Sequence, residues 1–164
     1  MRITESVEHD ASPEQVFEML CTHDYQELKC ERSGALDHQV TIEVEEDATT
    51  VVTRRQLSTE GFPDFARRLV GETVDVVETQ RWGSASPDGS RQAALTVDIS
   101  GTPVHLTGGV SLTPGGAGTV HAVDGELKAN VPLVGGRIEK VVAPVLERAV
   151  RLEGQVGREW RERA

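Results

Sequence analysis

From Asp37 to Val131 the sequence carries six runs in which apolar residues recur at every second position, joined by turns rather than by long helices. Val40, Ile42 and Val44 alternate with Thr41, Glu43 and Glu45; the acidic turn Glu45-Glu46-Asp47 then leads into the β-branched run Thr49 to Leu57, which makes a hairpin. Further runs cover Glu72 to Trp82, Arg91 to Ser100, Val104 to Thr113 and Gly118 to Val131. Their connections, Ser86-Pro87-Asp88-Gly89, Gly101-Thr102-Pro103 and Pro114-Gly115-Gly116-Ala117-Gly118, are turn sequences. Gly61-Phe62-Pro63-Asp64 and Phe65 to Val70 read as a loop with a helical turn. Parallel neighbours need a crossover of about a dozen residues or more, so a parallel sheet is excluded. Each run has one largely apolar face, such as Ala93, Leu95, Val97 and Ile99, so one side of the sheet is covered and the other is wet. Gly108-Gly109 inside a run predicts a bulge or bend that curves the sheet.

Different periodicities flank this block. Ile3, Val7 and His9 alternate as in a strand, which gives way at Ser12 (N-cap) and Pro13 (first helical position) to a helix with Val16, Phe17, Met19 and Leu20 facing a core. A second short helix spans about Asp24 to Arg32. The last segment, Gly136 to Arg163, is one long helix with the apolar stripe Ile138, Val141, Val142, Val145, Ala149, Leu152, Val156 and Trp160. At ~1.5 Å per residue it reaches roughly 40 Å, enough to cross a whole sheet. Pro144 predicts a bend in it, and Gly154 and Gly157 are expected to loosen its second half. Trp160 is expected to anchor the helix to the sheet edge.

The length of 164 residues suits a single domain, 1–164, with a real core. That core is short of large side chains, since the chain holds only six aromatics, and so leaves space unless backbones approach closely. Seventeen basic residues against 27 acidic ones disfavour nucleic acid and anionic membranes as partners. No stretch approaches the ~20 apolar residues of a membrane span, and the N-terminus lacks the apolar region of a signal peptide, so no integral membrane association and a cytoplasmic location are expected. Cys21 and Cys30, with eight residues between them, fit neither a redox motif nor a zinc knuckle and read as reduced thiols.

Strand, two short helices, six antiparallel strands and a long C-terminal helix is an order that resembles the START-like, or helix-grip, superfamily (SRPBCC, birch-pollen-allergen type), and within it an actinobacterial domain family of unknown function. The resemblance covers nearly the whole chain. It rests on Ser12-Pro13-Glu14-Gln15-Val16-Phe17 after the first strand and on Val131-Pro132-Leu133-Val134-Gly135-Gly136-Arg137-Ile138-Glu139 entering the last helix. It implies an α+β fold in which a curved antiparallel seven-stranded sheet wraps the C-terminal helix, with two short helices between strands 1 and 2. It also implies a cavity between sheet and helix that binds a small hydrophobic or amphipathic, lipid-like or polyketide-like, molecule.

Side-chain parity names candidates for the lining of that cavity. Val51, Thr53, Arg55 and Leu57 share a face, as do Val74, Val76, Glu78, Gln80 and Trp82, and His121 shares one with Val123 and Leu127. The predicted lining is Arg55, Val76, Glu78, Trp82, Leu95, Val97, Leu106, Val110, His121, Val123, Val141 and Val145. A buried charge must be paired or solvated, so Arg55, Glu78 and His121 form an inward polar set suited to orienting one ligand, unless Arg55 and Glu78 simply make a salt bridge. Phe62 and Phe65 would act as a lid over the cavity mouth or form a satellite cluster under their loop.

Other chemistries find little. His9, His23, His38, His105 and His121 show no metal-ligand spacing, no nucleotide fingerprint follows a strand, and no nucleophile elbow occurs, so no metal, cofactor or catalytic residue is assigned. Gly135-Gly136 reads as a tight turn that lets the helix approach the sheet. The leading expectation is a non-catalytic ligand binder. A cyclase or hydratase using Glu78 and His121 as an acid–base pair is the alternative, and an adaptor of the chaperone-activator kind, with a filled core and an exposed apolar patch, is the third. Oligomeric state stays open, because an edge strand can pair with a copy of itself.

Overall fold

The structure, a computed structural model, describes residues 1–163. Its elements in chain order are β1 (Arg2–His9), α1 (Pro13–Leu20), α2 (His23–Arg32), β2 (Asp37–Val44), β3 (Thr49–Ser58), α3 (Asp64–Val70), β4 (Thr73–Trp82), β5 (Arg91–Ile99), β6 (Val104–Gly115), β7 (Gly118–Ala129) and α4 (Gly135–Arg163). The seven strands form one antiparallel sheet in the order β1-β7-β6-β5-β4-β3-β2. From β2 to β7 each strand pairs with the next, as the short turns require. β1 adds beside β7, so the two ends of the strand series lie at opposite edges, and α1 and α2 carry the chain from one edge to the other.

The start of α1 follows from local chemistry. The Ser12 hydroxyl accepts from the Gln15 backbone N–H at 3.2 Å while the Gln15 amide oxygen accepts from the Ser12 N–H at 2.9 Å, with Pro13 buried at the first helical position. Two otherwise orphaned donors are satisfied reciprocally. The Phe65 segment forms the seven-residue helix α3, more than the single turn expected from sequence.

Several glycines hold the layers together. The β6 register runs unbroken through Gly108 and Gly109, so the expected bulge is absent among the described residues. Gly108 stands opposite Gly125, and a Cβ there would collide with the Asp124 carbonyl oxygen and the Gly125 Cα, so the glycine permits a close backbone approach instead. At the start of α4, a Cβ on Gly135 would collide with the Ala129 carbonyl oxygen, which fits the tight entry expected there; Gly136 has open space around it.

α4 continues through Pro144, whose ring is exposed and whose missing N–H faces water rather than the core. Gly154 and Gly157 do not loosen it. Both are buried and set its second half against β1, where a Cβ on Gly154 would stand 3.2 Å from the Val7 Cβ. Trp160 likewise differs from expectation. It packs edge-on against Tyr25 of α2, with ring centroids 6.0 Å apart, so it joins the two helices rather than the helix to the sheet edge.

Candidate functional site

α4 meets the sheet closely at its entry, where Gly135 packs against Ala129, and again toward its C-terminal half. Between these two contacts, Val141, Val145, Leu146, Ala149 and Leu152 turn toward the sheet and roof a cavity of about 780 Å³. The valine-rich inner faces of β3 to β7 form its floor, through Leu57, Val76, Val97, Leu106 and Leu127 among others. Phe62, Ala66, Leu69 and Val70, on and before α3, close one side. Arg137 of α4 stacks over the Phe65 ring at 4.2 Å, which ties α3 to the start of α4. Phe62 thus reaches the cavity, while Phe65 serves the wall behind it.

Beyond a wall shared through Arg55, Val97, Leu106, Leu146 and Ala149 lies a second space of about 40 Å³, enough for roughly one water molecule. Its lining is polar on one side: Lys29, Arg55, Glu78, Gln80, His121 and Glu153. Of the twelve residues expected from strand parity and the helix stripe, Arg55, Val76, Val97, Leu106, Val141 and Val145 line the large cavity, and Glu78, Leu95, His121 and Val123 line the small chamber with Arg55, Val97 and Leu106. Trp82 and Val110 line neither. They belong to one row across the sheet, Trp82–Ala93–Val110, and α1 covers that end: Phe17 meets the Trp82 ring edge-on at 5.8 Å. Parity placed both residues on the inner face correctly; α1 takes up the space above them.

The polar side of the chamber is an ion network. Arg55 Nη2 lies 3.5 Å from Glu78 Oε2, so the expected salt bridge exists at the long limit of such contacts. Lys29 of α2 donates from Nζ to Glu153 Oε1 at 3.0 Å and to Glu78 Oε1 at 3.3 Å. The Tyr25 hydroxyl donates to Glu153 Oε2 at 2.5 Å, and Gln80 Nε2 donates to Glu78 Oε1 at 2.9 Å. Sequence reasoning missed Lys29, Tyr25 and Glu153. The available signal was position: Glu153 lies four residues after Ala149 and three before Val156, on the stripe itself, and Lys29 lies one turn after Tyr25.

Burial opposes ionisation throughout the network, and opposite charges overcome it. The Lys29 ammonium, with help from the Tyr25 hydroxyl's hydrogen bond, holds the Glu153 carboxyl down at about 2 despite its burial. Lys29 and Arg55 do the same for Glu78, whose pKa is lowered. Lys29, against its own burial, is raised by Glu153 and Glu78. Two cations thus face two anions.

His121 is fully buried, and its partner is His9 of β1: His9 Nε2 lies 3.1 Å from His121 Nδ1. Arg161 Nη1 lies 3.3 Å from the other His9 nitrogen. A guanidinium only donates, so His9 Nδ1 accepts, its proton sits on Nε2 and points at His121 Nδ1, and the His121 proton is left on Nε2. Burial first, and His121 second, lowers His9 to about 4; burial also lowers His121. Both rings are neutral at pH 7. No hydrogen bond joins His121 to Glu78. Among the described residues no group of three or more His, Cys, Asp or Glu side chains is placed to hold a metal ion, and no helix is long and apolar enough to cross a membrane.

A single antiparallel seven-stranded sheet that grips a long C-terminal helix, with two short helices inserted after its first strand, is a helix-grip fold. The chain belongs to the family described as Protein of unknown function (DUF2505), whose profile matches residues 4–160. No curated protein matches the sequence. Among solved structures, the chain is similar to a protein from Thermus thermophilus, TTHA0849, with a TM-score of 0.62 and 14% identity over 97% of this chain and 95% of that one. It is similar to the Zhui aromatase/cyclase from Streptomyces sp. R1128, with a TM-score of 0.61 and 15% identity over 99% and 94%. It also resembles the lipid transfer and protein localization domain of human StarD13, with a TM-score of 0.55 and 15% identity over 92% and 74%. At these identities the likeness is one of fold.

Proposed function

We propose that the protein binds a small hydrophobic or amphipathic molecule in the cavity beneath α4 and does so without catalysing a reaction. The observation that carries this reading is the cavity of about 780 Å³, inside the ~300–1,000 Å³ range of ligand pockets and walled mostly by aliphatic side chains. A space of that size left empty would forfeit packing along its whole lining. Among the few polar groups of the lining, Arg55 is buried in the inner wall, a fixed contact of the kind that orients a ligand in an apolar pocket. Neighbours with the same fold include a lipid transfer domain and an aromatase/cyclase, which agrees with a lipid-like or polyketide-like ligand.

An acid–base mechanism finds less support. Glu78 is committed to Lys29, Arg55 and Gln80 and stays ionised, and His121 is committed to His9. Neither side chain lines the large cavity, so neither faces a ligand held there. The adaptor alternative requires a filled core, which the cavity does not offer.

The test is native mass spectrometry of protein purified without detergent, paired with titration of the uncharged fluorophore Nile red. Co-purification of a small lipid-like molecule, or saturable Nile red binding abolished by Ala149→Phe with the fold retained by circular dichroism, supports the reading. Apo protein that takes up no Nile red overturns it.

A further inference from the structure

We propose that Arg55 reads the inner end of the ligand, and that this end is an uncharged oxygen, a ketone, ester carbonyl or hydroxyl, rather than a carboxylate or phosphate. This rests on the cavity reading above and names the class of molecule that fits it.

Arg55 belongs to the wall between the apolar cavity and the polar chamber, and it is only 5% exposed. Its single ion-pair contact among the described residues, to Glu78, is long at 3.5 Å. Its Nε–H is buried and has no partner among the described residues, and neither does Thr53 Oγ1, two positions earlier on the same face of β3. A buried donor left unmet forfeits its hydration and gains nothing in return, so such donors in folded proteins are generally met by water or ligand.

Charge decides what the partner is. Lys29 and Arg55 balance Glu78 and Glu153, and among the described residues the lining of the chamber holds no third cation; Arg32, Arg148 and Arg151 line the large cavity but not the chamber, so they do not balance a charge placed at the inner end. His121 accepts from His9 and stays neutral. A ligand carboxylate placed against Arg55 would make this buried cluster net negative and compete with Glu78 for the guanidinium, a desolvation cost that nothing in that lining offsets. A neutral oxygen accepts the Nε–H, leaves the ion pairs intact and changes no charge. The apolar body then lies along the aliphatic floor, between Val76, Val97 and Leu106 below and Val141, Val145 and Ala149 above.

The experiment measures displacement of Nile red by four twelve-carbon probes, 2-dodecanone, 1-dodecanol, dodecanoate and dodecane, at pH 7.5. The ketone and the alcohol are expected to displace the dye at concentrations about tenfold lower than dodecanoate or dodecane, the factor expected of one buried hydrogen bond. Arg55→Met should remove that advantage and leave dodecane unchanged; Arg55→Lys, which keeps the charge and the fold but loses the Nε–H, should remove most of it. Equal displacement by ketone and alkane, tighter binding of dodecanoate, or discrimination that survives Arg55→Lys would overturn the inference while leaving the cavity reading intact. Failure of Nile red itself to bind would overturn both.

Discussion

Gly157 of α4 lies directly against His9 of β1: a Cβ on the glycine would stand 2.8 Å from His9 Nδ1 and 2.9 Å from its Cε1. The imidazole is pinned from the other side by His121 and cannot retreat. Gly157→Ala should therefore destabilise the protein by about 1–3 kcal/mol through overpacking, despite the better helix propensity of alanine. Gly154→Ala, whose Cβ would meet Val7 at 3.2 Å, should be close to neutral because propensity offsets a mild clash. Urea unfolding of the two variants measures the difference; equal effects would show that His9 yields.

The network around Lys29 holds α2, α4 and β4 together. Lys29→Met leaves two buried carboxylates facing each other with only Arg55 to balance them, and should cost on the order of 3–5 kcal/mol. In the double variant Lys29→Met/Glu153→Leu the charges are balanced again, and a substantial part of the loss should return. A double-mutant cycle by chemical denaturation reads the coupling directly.

The buried histidines give the stability a pH dependence of known sign. His9 titrates near 4 in the folded protein against ~6.5 unfolded, and His121 is also lowered, so between these values the unfolded chain binds more protons. Their contribution is present above about pH 6.5 and is lost as pH falls toward 4. The charges facing the pair are Glu153, Arg158 and Arg161 from α4, Lys29 from α2 and Glu78 from β4, and the cations resist protonation of the rings. Glu153 and Glu78, whose folded pKa values are lowered, hold their contribution above about 4.5 and release it below. The melting temperature should fall from pH 7 to pH 5, and His9→Gln/His121→Gln should flatten that part of the curve.

Leu133 is fully exposed and has a φ of 71°, the left-handed region that costs a residue with a Cβ roughly 1 kcal/mol or more. It buries nothing in exchange. Leu133→Gly should raise stability by up to about 1 kcal/mol, less the added freedom of the unfolded chain, in a thermal or urea melt. Destabilisation would mean that the leucine makes a contact in solution.

Much of the fold is legible along the chain. Strict alternation through β2 to β7 with short turns leaves little besides an antiparallel meander, and the Ser12-Pro13 start and the stripe of α4 fix where helices replace strands. Parity also identified the inward groups, because a strand's two faces are set by position alone, and Arg55, Glu78 and His121 all lie inside. It put Trp82 and Val110 on the inner face as well, but nothing in a strand says which helix lies above a given row, and α1 rather than the cavity covers theirs.

The sequence by itself determined the order of elements, the antiparallel class and the face each strand turns inward, since these follow from local periodicity and turn chemistry. Only the tertiary structure decided that β1 closes beside β7, that His9 thereby meets His121 across 112 positions, and that Lys29 and Glu153, 124 positions apart, complete the charge of Glu78. Such pairings depend on the distance between elements rather than on any residue's own preference. In sequence, an isolated lysine or glutamate looks the same whether it faces water or a buried partner.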